Sequence, residues 1–113
     1  MPSRGAICEA VSDVARLRRE LLARVLDRGA TAPRRLRRAA FENAGLDDPV
    51  RTLIEKVADR SYAVTDADVA AVRASGLSED QIFELIVCAA VGAADRQYSA
   101  ATIALDEAMG GRR

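Results

Sequence analysis

Apolar residues recur along this chain at three- and four-residue steps, the spacing of one helical face, and no alternating run is long enough for a strand. The first stripe is Ile7, Val11, Val14, Leu17, Leu21, Leu22 and Val25, which predicts a helix from about Ala6 to Asp27. Asp13, Arg16, Arg19, Glu20 and Arg24 fall on its other side, and Gly29 suits a C-terminal cap. A short second helix is expected from Pro33 to about Asn43, with Leu36, Ala39, Ala40 and Phe41 inward and Gly45 ending it. The third begins with Asp48 as N-cap and Pro49 in the first turn, and carries Val50, Leu53, Ile54 and Val57 as its stripe. In the fourth, Thr65 caps with Asp68 three residues on, Val69 and Val72 face the core, and Gly76 closes the helix. The fifth opens on the clearest cap, Ser78 with Gln81, flanked by Leu77 and Ile82 as a hydrophobic staple. It is expected to run from Glu79 to about Met109 and to fray at Gly110 and Gly111. From Ile82 to Ala94 it is apolar nearly all round, which predicts a central, buried helix.

The pattern therefore predicts an all-α, compact helical bundle of about five helices in a single domain, 1–113. Composition adds that half the residues are hydrophobic, yet only two Tyr, two Phe and no Trp serve as large anchors. Such a chain buries little surface alone, so a homo-oligomer is expected, and a protein partner is the next expectation. Net charge is zero but unevenly spread. Residues 1–45 hold ten Arg against five acids, and residues 46–113 hold seven basic residues against twelve acids. The basic N-terminal helices of 1–45 could meet acids on a neighbouring chain, or both sets could be solvated faces.

The chain has no His, which removes imidazole ligands and bases and every Ser–His or Cys–His nucleophile. Cys8 and Cys88 lie far apart and form no CxxC pair, so neither a metal site nor a cofactor is expected. Cys88 sits in "LIVCAAV", the setting of an inert core thiol. No apolar run nears the roughly 20 residues of a membrane span, and no leader pattern is visible. The expectation is a soluble cytoplasmic protein without a membrane role.

"VRASGLSEDQIFELIVCAA" has the outline of a helix-turn-helix. The residues it would offer to DNA are Glu79, Asp80 and Glu84, which a polyanion repels, so DNA reading by this helix is rejected. "RRLRR", Arg34 to Arg38, is the better phosphate binder, but no aromatic residue interleaves for stacking. A solvated surface or a protein contact explains it better than nucleic acid does.

From Asp48 onward the order of signals resembles the carboxymuconolactone decarboxylase and alkylhydroperoxidase D-like superfamily. The resemblance lies in an apolar helix, a helix ending "AAVRASG", then "LSEDQIFELIVCAAV", and covers roughly half the chain. It implies an alkylhydroperoxidase D-like fold with 46–109 as the family-like core, and oligomers. Redox members of that family carry Cys-x-x-Cys-x-x-x-His before the glycine, and a Glu further ahead. Counting back from Gly76 puts Ser61 and Val64 at the cysteine positions, Asp68 at the histidine and Pro49 at the Glu. A thiol peroxidase needs a thiolate and a resolving partner, and none is present. The decarboxylase branch uses His, also absent.

The region that the resemblance marks as the site still offers Ser61, Tyr62, Asp66, Asp68, Cys88, Asp95, Arg96 and Tyr98. Tyr62, Asp68, Arg96 and Tyr98 are the candidate catalytic set: Tyr and carboxylate as acid and base, Arg to hold an anion. Each also has a structural explanation. Capping accounts for Asp68, Asp95 and Arg96 could satisfy each other, and the tyrosines could be core-edge aromatics. Two readings follow, with catalysis left open. One is a non-catalytic accessory or assembly subunit that has lost its redox site. The other is a small-molecule enzyme of non-redox acid/base chemistry in a Tyr/Asp/Arg cleft.

Overall fold

A computed structural model of the chain describes residues 4–27 and 31–110; within it the side chains of residues 4–12 and 25–27 lie outside the description. The expectations for Ile7, Cys8, Val11, Val25, Gly29 and Gly111 therefore lie outside the described residues. Among the described residues there are five α-helices and one 3-10 turn, with no strand: α1 (Arg4–Asp27), α2 (Arg34–Glu42), α3 (Val50–Asp59), the turn Ser61–Ala63, α4 (Asp66–Ala74) and α5 (Glu79–Gly110). The all-α bundle expected from the periodicity is thus the observed class.

Local signals set most boundaries. The Asp48 carboxylate accepts from the Thr52 backbone N–H at 3.2 Å and from its hydroxyl at 2.6 Å, just ahead of α3. At α4 the capping box is complete: Asp68 N–H donates to Thr65 Oγ1 at 3.2 Å, and Thr65 N–H donates to the Asp68 carboxylate at 2.9 Å. Ser78 and Gln81 make the same reciprocal pair at α5, at 2.9 and 3.1 Å. Gly76, at φ +111°, makes the turn between α4 and α5 that a side chain would strain. Three boundaries differ from expectation. Pro33 and Pro49 stand at the N-cap positions of α2 and α3 rather than in their first turns, which puts Asp48 one residue ahead of the α3 cap. Asn43, not Gly45, ends α2: it is left-handed at φ 52°, and Asn43 and Ala44 donate to the carbonyls of Ala40 and Ala39. That is the Schellman closure, which Asn tolerates; Gly45 serves the loop beyond it.

α5 is the axis of the bundle. Its 32 residues span about 48 Å. Leu85, Cys88 and Ala89 pack with Ala32, Ala40, Leu46 and Ile54 into one cluster between α2, α3 and α5. Ile82 packs with Leu53 and Val72 into a second, between α3, α4 and α5. The neighbours Leu53 and Ile54 thus feed two clusters from adjacent faces of α3.

One expectation of burial is corrected. The Ile82–Ala94 stretch is not enclosed on all sides: Phe83 is 67% exposed, and Ala90 and Ala94 are open, because α2, α3 and α4 cover only part of its circumference. Nor does α1 close that gap. Val14, Leu17 and Leu21 remain 48%, 58% and 53% exposed, and no described α1 residue is buried. Among the described residues no helix is long and apolar enough to cross a membrane.

Candidate functional site

Two concavities flank α5. The first is a groove of about 550 Å³ between the end of α3, the 3-10 turn and α5. It is lined by Val57, Ala58, Ser61, Val64, Ile86, Ala90, Ala93, Ala94 and Gln97. Ser61 and Val64, the positions that correspond to the redox cysteines by resemblance, both line it. Ser61 and Gln97 are its polar side chains, and it has no thiol, carboxylate or cation among its lining residues.

The second concavity is a shallow cleft of about 210 Å³ between α1 and α5, lined by Val14, Arg18, Leu21, Leu22, Val91, Ala94, Asp95 and Tyr98. Arg18 organises it. Its Nε donates to Asp95 and its Nη2 to Ser99 Oγ at 3.3 Å, while the guanidinium lies 5.2 Å from the centroid of the Tyr98 ring. The hydrogen bond to Asp95 holds the Arg18 pKa above its ordinary value, so this cation stays charged and engaged. The cluster clamps α1 to α5.

The four candidate catalytic residues have separate surroundings. Tyr62 is 86% exposed on the 3-10 turn. Asp68 accepts from Lys56 Nζ at 2.8 and 3.0 Å; that hydrogen bond, with the Thr65 cap, holds its carboxyl below the usual range. Arg96 donates to the Phe41 carbonyl at 2.6 Å, at the end of α2. Tyr98 lies beside Arg18. Asp95 and Arg96 do not satisfy each other: consecutive residues on a helix point about 100° apart, and these two reach different helices. A Tyr/Asp/Arg grouping does exist, but it is Tyr98, Asp95 and Arg18. Sequence reasoning missed Arg18 because its partner is 77 residues away.

Glu84 and Arg37 are a further departure. Glu84 turns inward: its two carboxylate oxygens accept from the backbone N–H groups of Thr31 (2.9 Å) and Ala32 (2.7 Å), and Thr31 Oγ1 adds a third bond at 3.2 Å. Arg37 is only 7% exposed, and its Nε donates to the Ala32 carbonyl at 3.1 Å. The arginine run is thus not one solvated surface. Arg37 faces the interior, and Arg34, Arg35 and Arg38 face outward.

Cys88 is buried, as its apolar neighbourhood predicted. Burial pushes its thiol up, against the opposing charge of Arg37. In a Cys8→Ser variant, Cys88 of the native chain should react with a thiol reagent at least about 100-fold more slowly than in the denatured chain, because labelling must await opening of the core. Rapid native labelling would contradict this burial.

Among the described residues no group of three or more Cys, Asp or Glu could hold a metal ion. No family model matches the chain, and neither a curated protein nor a solved structure matches it.

Proposed function

We propose that this chain is a non-catalytic accessory or assembly subunit of the cytoplasm, built on an alkylhydroperoxidase D-like helical core that carries no redox site. The observation that carries this reading is the groove at Ser61 and Val64. It lies where the resemblance puts the chemistry, and it is lined by alkyl groups, one hydroxyl and one amide. Neither a nucleophile of low pKa nor a proton-transfer group lines it. The candidate catalytic residues support the same reading, because Asp68, Arg96 and Tyr98 each have a partner that accounts for them structurally.

The alternative, an enzyme of non-redox acid/base chemistry, draws on Arg18, Asp95 and Tyr98 in the α1–α5 cleft. That cleft is smaller than the 300–1,000 Å³ typical of ligand sites, and its cation is already engaged by Asp95. The readings separate in native mass spectrometry of the gently purified full chain, co-expressed with its genomic neighbours. The subunit reading expects a ligand-free chain in a stoichiometric protein assembly. A retained small-molecule adduct, lost on Tyr98→Phe, would overturn it in favour of the enzyme.

A further inference from the structure

We infer that α1 is a releasable strap: it is held on α5 by a polar latch centred on Arg18, and it opens while α2 to α5 stay folded. Opening uncovers the flank of α5 that carries Val91, Asp95 and Tyr98. Neither the subunit reading nor the enzyme reading is needed for it.

The two buried clusters carry the first half of the inference. Neither includes a described side chain of α1, and none of the half-buried hydrophobic residues packed against them comes from α1. The bundle of α2 to α5 therefore closes its own core. α1 meets both α2 and α5, but its seat is thin. From Asp13 to Arg24 only Ala15, Arg18 and Leu22 are half-buried, and every other side chain is exposed. One alanine and one leucine bury little apolar surface. The cleft of about 210 Å³ beside them shows that α1 and α5 do not interdigitate fully there.

The latch carries the second half. Arg18 donates from Nε to Asp95 and from Nη2 to Ser99 Oγ at 3.3 Å, and its guanidinium lies 5.2 Å from the centroid of the Tyr98 ring. Asp95, Tyr98 and Ser99 are three and four residues apart, so they share one face of α5. A single side chain of α1 thus engages that whole face. Charge-assisted hydrogen bonds are strong but directional, so they are lost together when the helix lifts.

The strap has a defined end. Glu84 accepts from the backbone N–H groups of Thr31 and Ala32, which anchors the chain just ahead of α2 when α1 lifts. Most helices in proteins draw their stability from packing, so the released α1 loses protection of its backbone amides. Opening costs less than unfolding the core, because both clusters survive it.

The test is hydrogen exchange of the full chain, followed by mass spectrometry on peptides from α1 and α3, with one substitution on each side of the boundary. In the parent, α1 should exchange at least about tenfold faster than α3, yet more slowly than an unfolded chain. Arg18→Met keeps a long stem and removes the latch, and should raise the α1 rate about tenfold or more. Ile54→Val trims a fully buried side chain that the closed and open forms share. It should raise the α3 rate and leave the α1 rate unchanged. Should Arg18→Met fail to fold, Ser99→Ala removes one arm of the latch and should raise the α1 rate severalfold. Exchange of α1 and α3 at one rate would overturn the inference, as would an α1 rate that rises with α3 in Ile54→Val, since α1 would then open only with the core. So would an α1 that exchanges like an unfolded chain in the parent, or one indifferent to both latch substitutions.

Discussion

Replacing Gly92 with valine should prevent the chain from reaching its native structure, and alanine should already lower its stability sharply. α2 crosses α5 at this glycine so closely that a Cβ would lie 1.9 Å from the Phe41 carbonyl oxygen, 2.7 Å from its carbon and 2.9 Å from its Cα. All three are backbone atoms, so no side chain can step aside. α2 must lift away instead, and with it go the Ala40 contact in the main cluster and the Arg96 hydrogen bond to the same carbonyl. Overpacking of this kind costs about 1–3 kcal/mol and sometimes more, while Ala gains at most about 1 kcal/mol over Gly in helix propensity. The clash therefore wins. Gly110, in the same helix, has nothing within 4 Å of its Cβ direction, so Gly110→Ala should be neutral or slightly stabilising. Denaturant midpoints of the two variants, at equal slopes, measure the contrast. Equal midpoints would mean that the α2–α5 approach is not as close as described.

The same crossing shows where sequence reasoning reaches. Capping pairs were legible because both members lie within four residues, so Thr65 with Asp68 and Ser78 with Gln81 appear as expected. The stripe of α4 was legible because it faces a single cluster, and that of α3 because its two clusters meet adjacent faces of one helix. What could not be read is how far a helix's apolar surface exceeds the cover available. The run from Ile82 to Ala94 is uniformly apolar, and nothing in its pattern tells the side that meets α2 from the side left open. Polar contacts between helices were equally hidden. Arg18 reaches Asp95, Glu84 reaches Thr31 and Arg96 reaches Phe41 across 77, 53 and 55 residues. Their identities give no sign of partner: in the sequence Glu84 is one more acid near the start of α5, and Asp95 with Arg96 could be a mutual pair. A glycine inside an otherwise apolar helix was the one available sign of close backbone approach, and Gly92 carried it. For the site, the resemblance led to Ser61 and Val64, which do share a groove. The grouping of Arg18, Asp95 and Tyr98 depended on how α1 docks.

Glu84→Gln should destabilise the chain by about 2 kcal/mol at neutral pH, and most of that loss should vanish in acid. Glu84 is the only side chain described as joining the segment ahead of α2 to α5 through both carboxylate oxygens. Glutamine keeps one acceptor and turns an NH₂ group toward a backbone N–H that then has no partner in a half-buried place. Burial alone would raise the Glu84 pKa; the N–H groups of Thr31 and Ala32, the Thr31 hydroxyl and the nearby Arg37 charge outweigh it, and the net direction is downward. A carboxylate whose folded pKa lies below its unfolded value contributes stability that is fully present above the unfolded value, about 4.3, and is lost as pH falls through the folded one. Parent and variant should therefore differ most at pH 6–7 and converge below about pH 4. Asp48, lowered by the Thr52 hydroxyl, and Asp68, lowered by Lys56, have shifts of the same sign, so both proteins still weaken in acid, the parent more steeply. Thermal midpoints at pH 7, 5 and 3 give the comparison. A gap of the same size at pH 3 as at pH 7 would show that Glu84 acts through its shape rather than its charge. A gap that closes would identify the carboxylate as the electrostatic tie between the basic N-terminal helices and the acidic half of the chain.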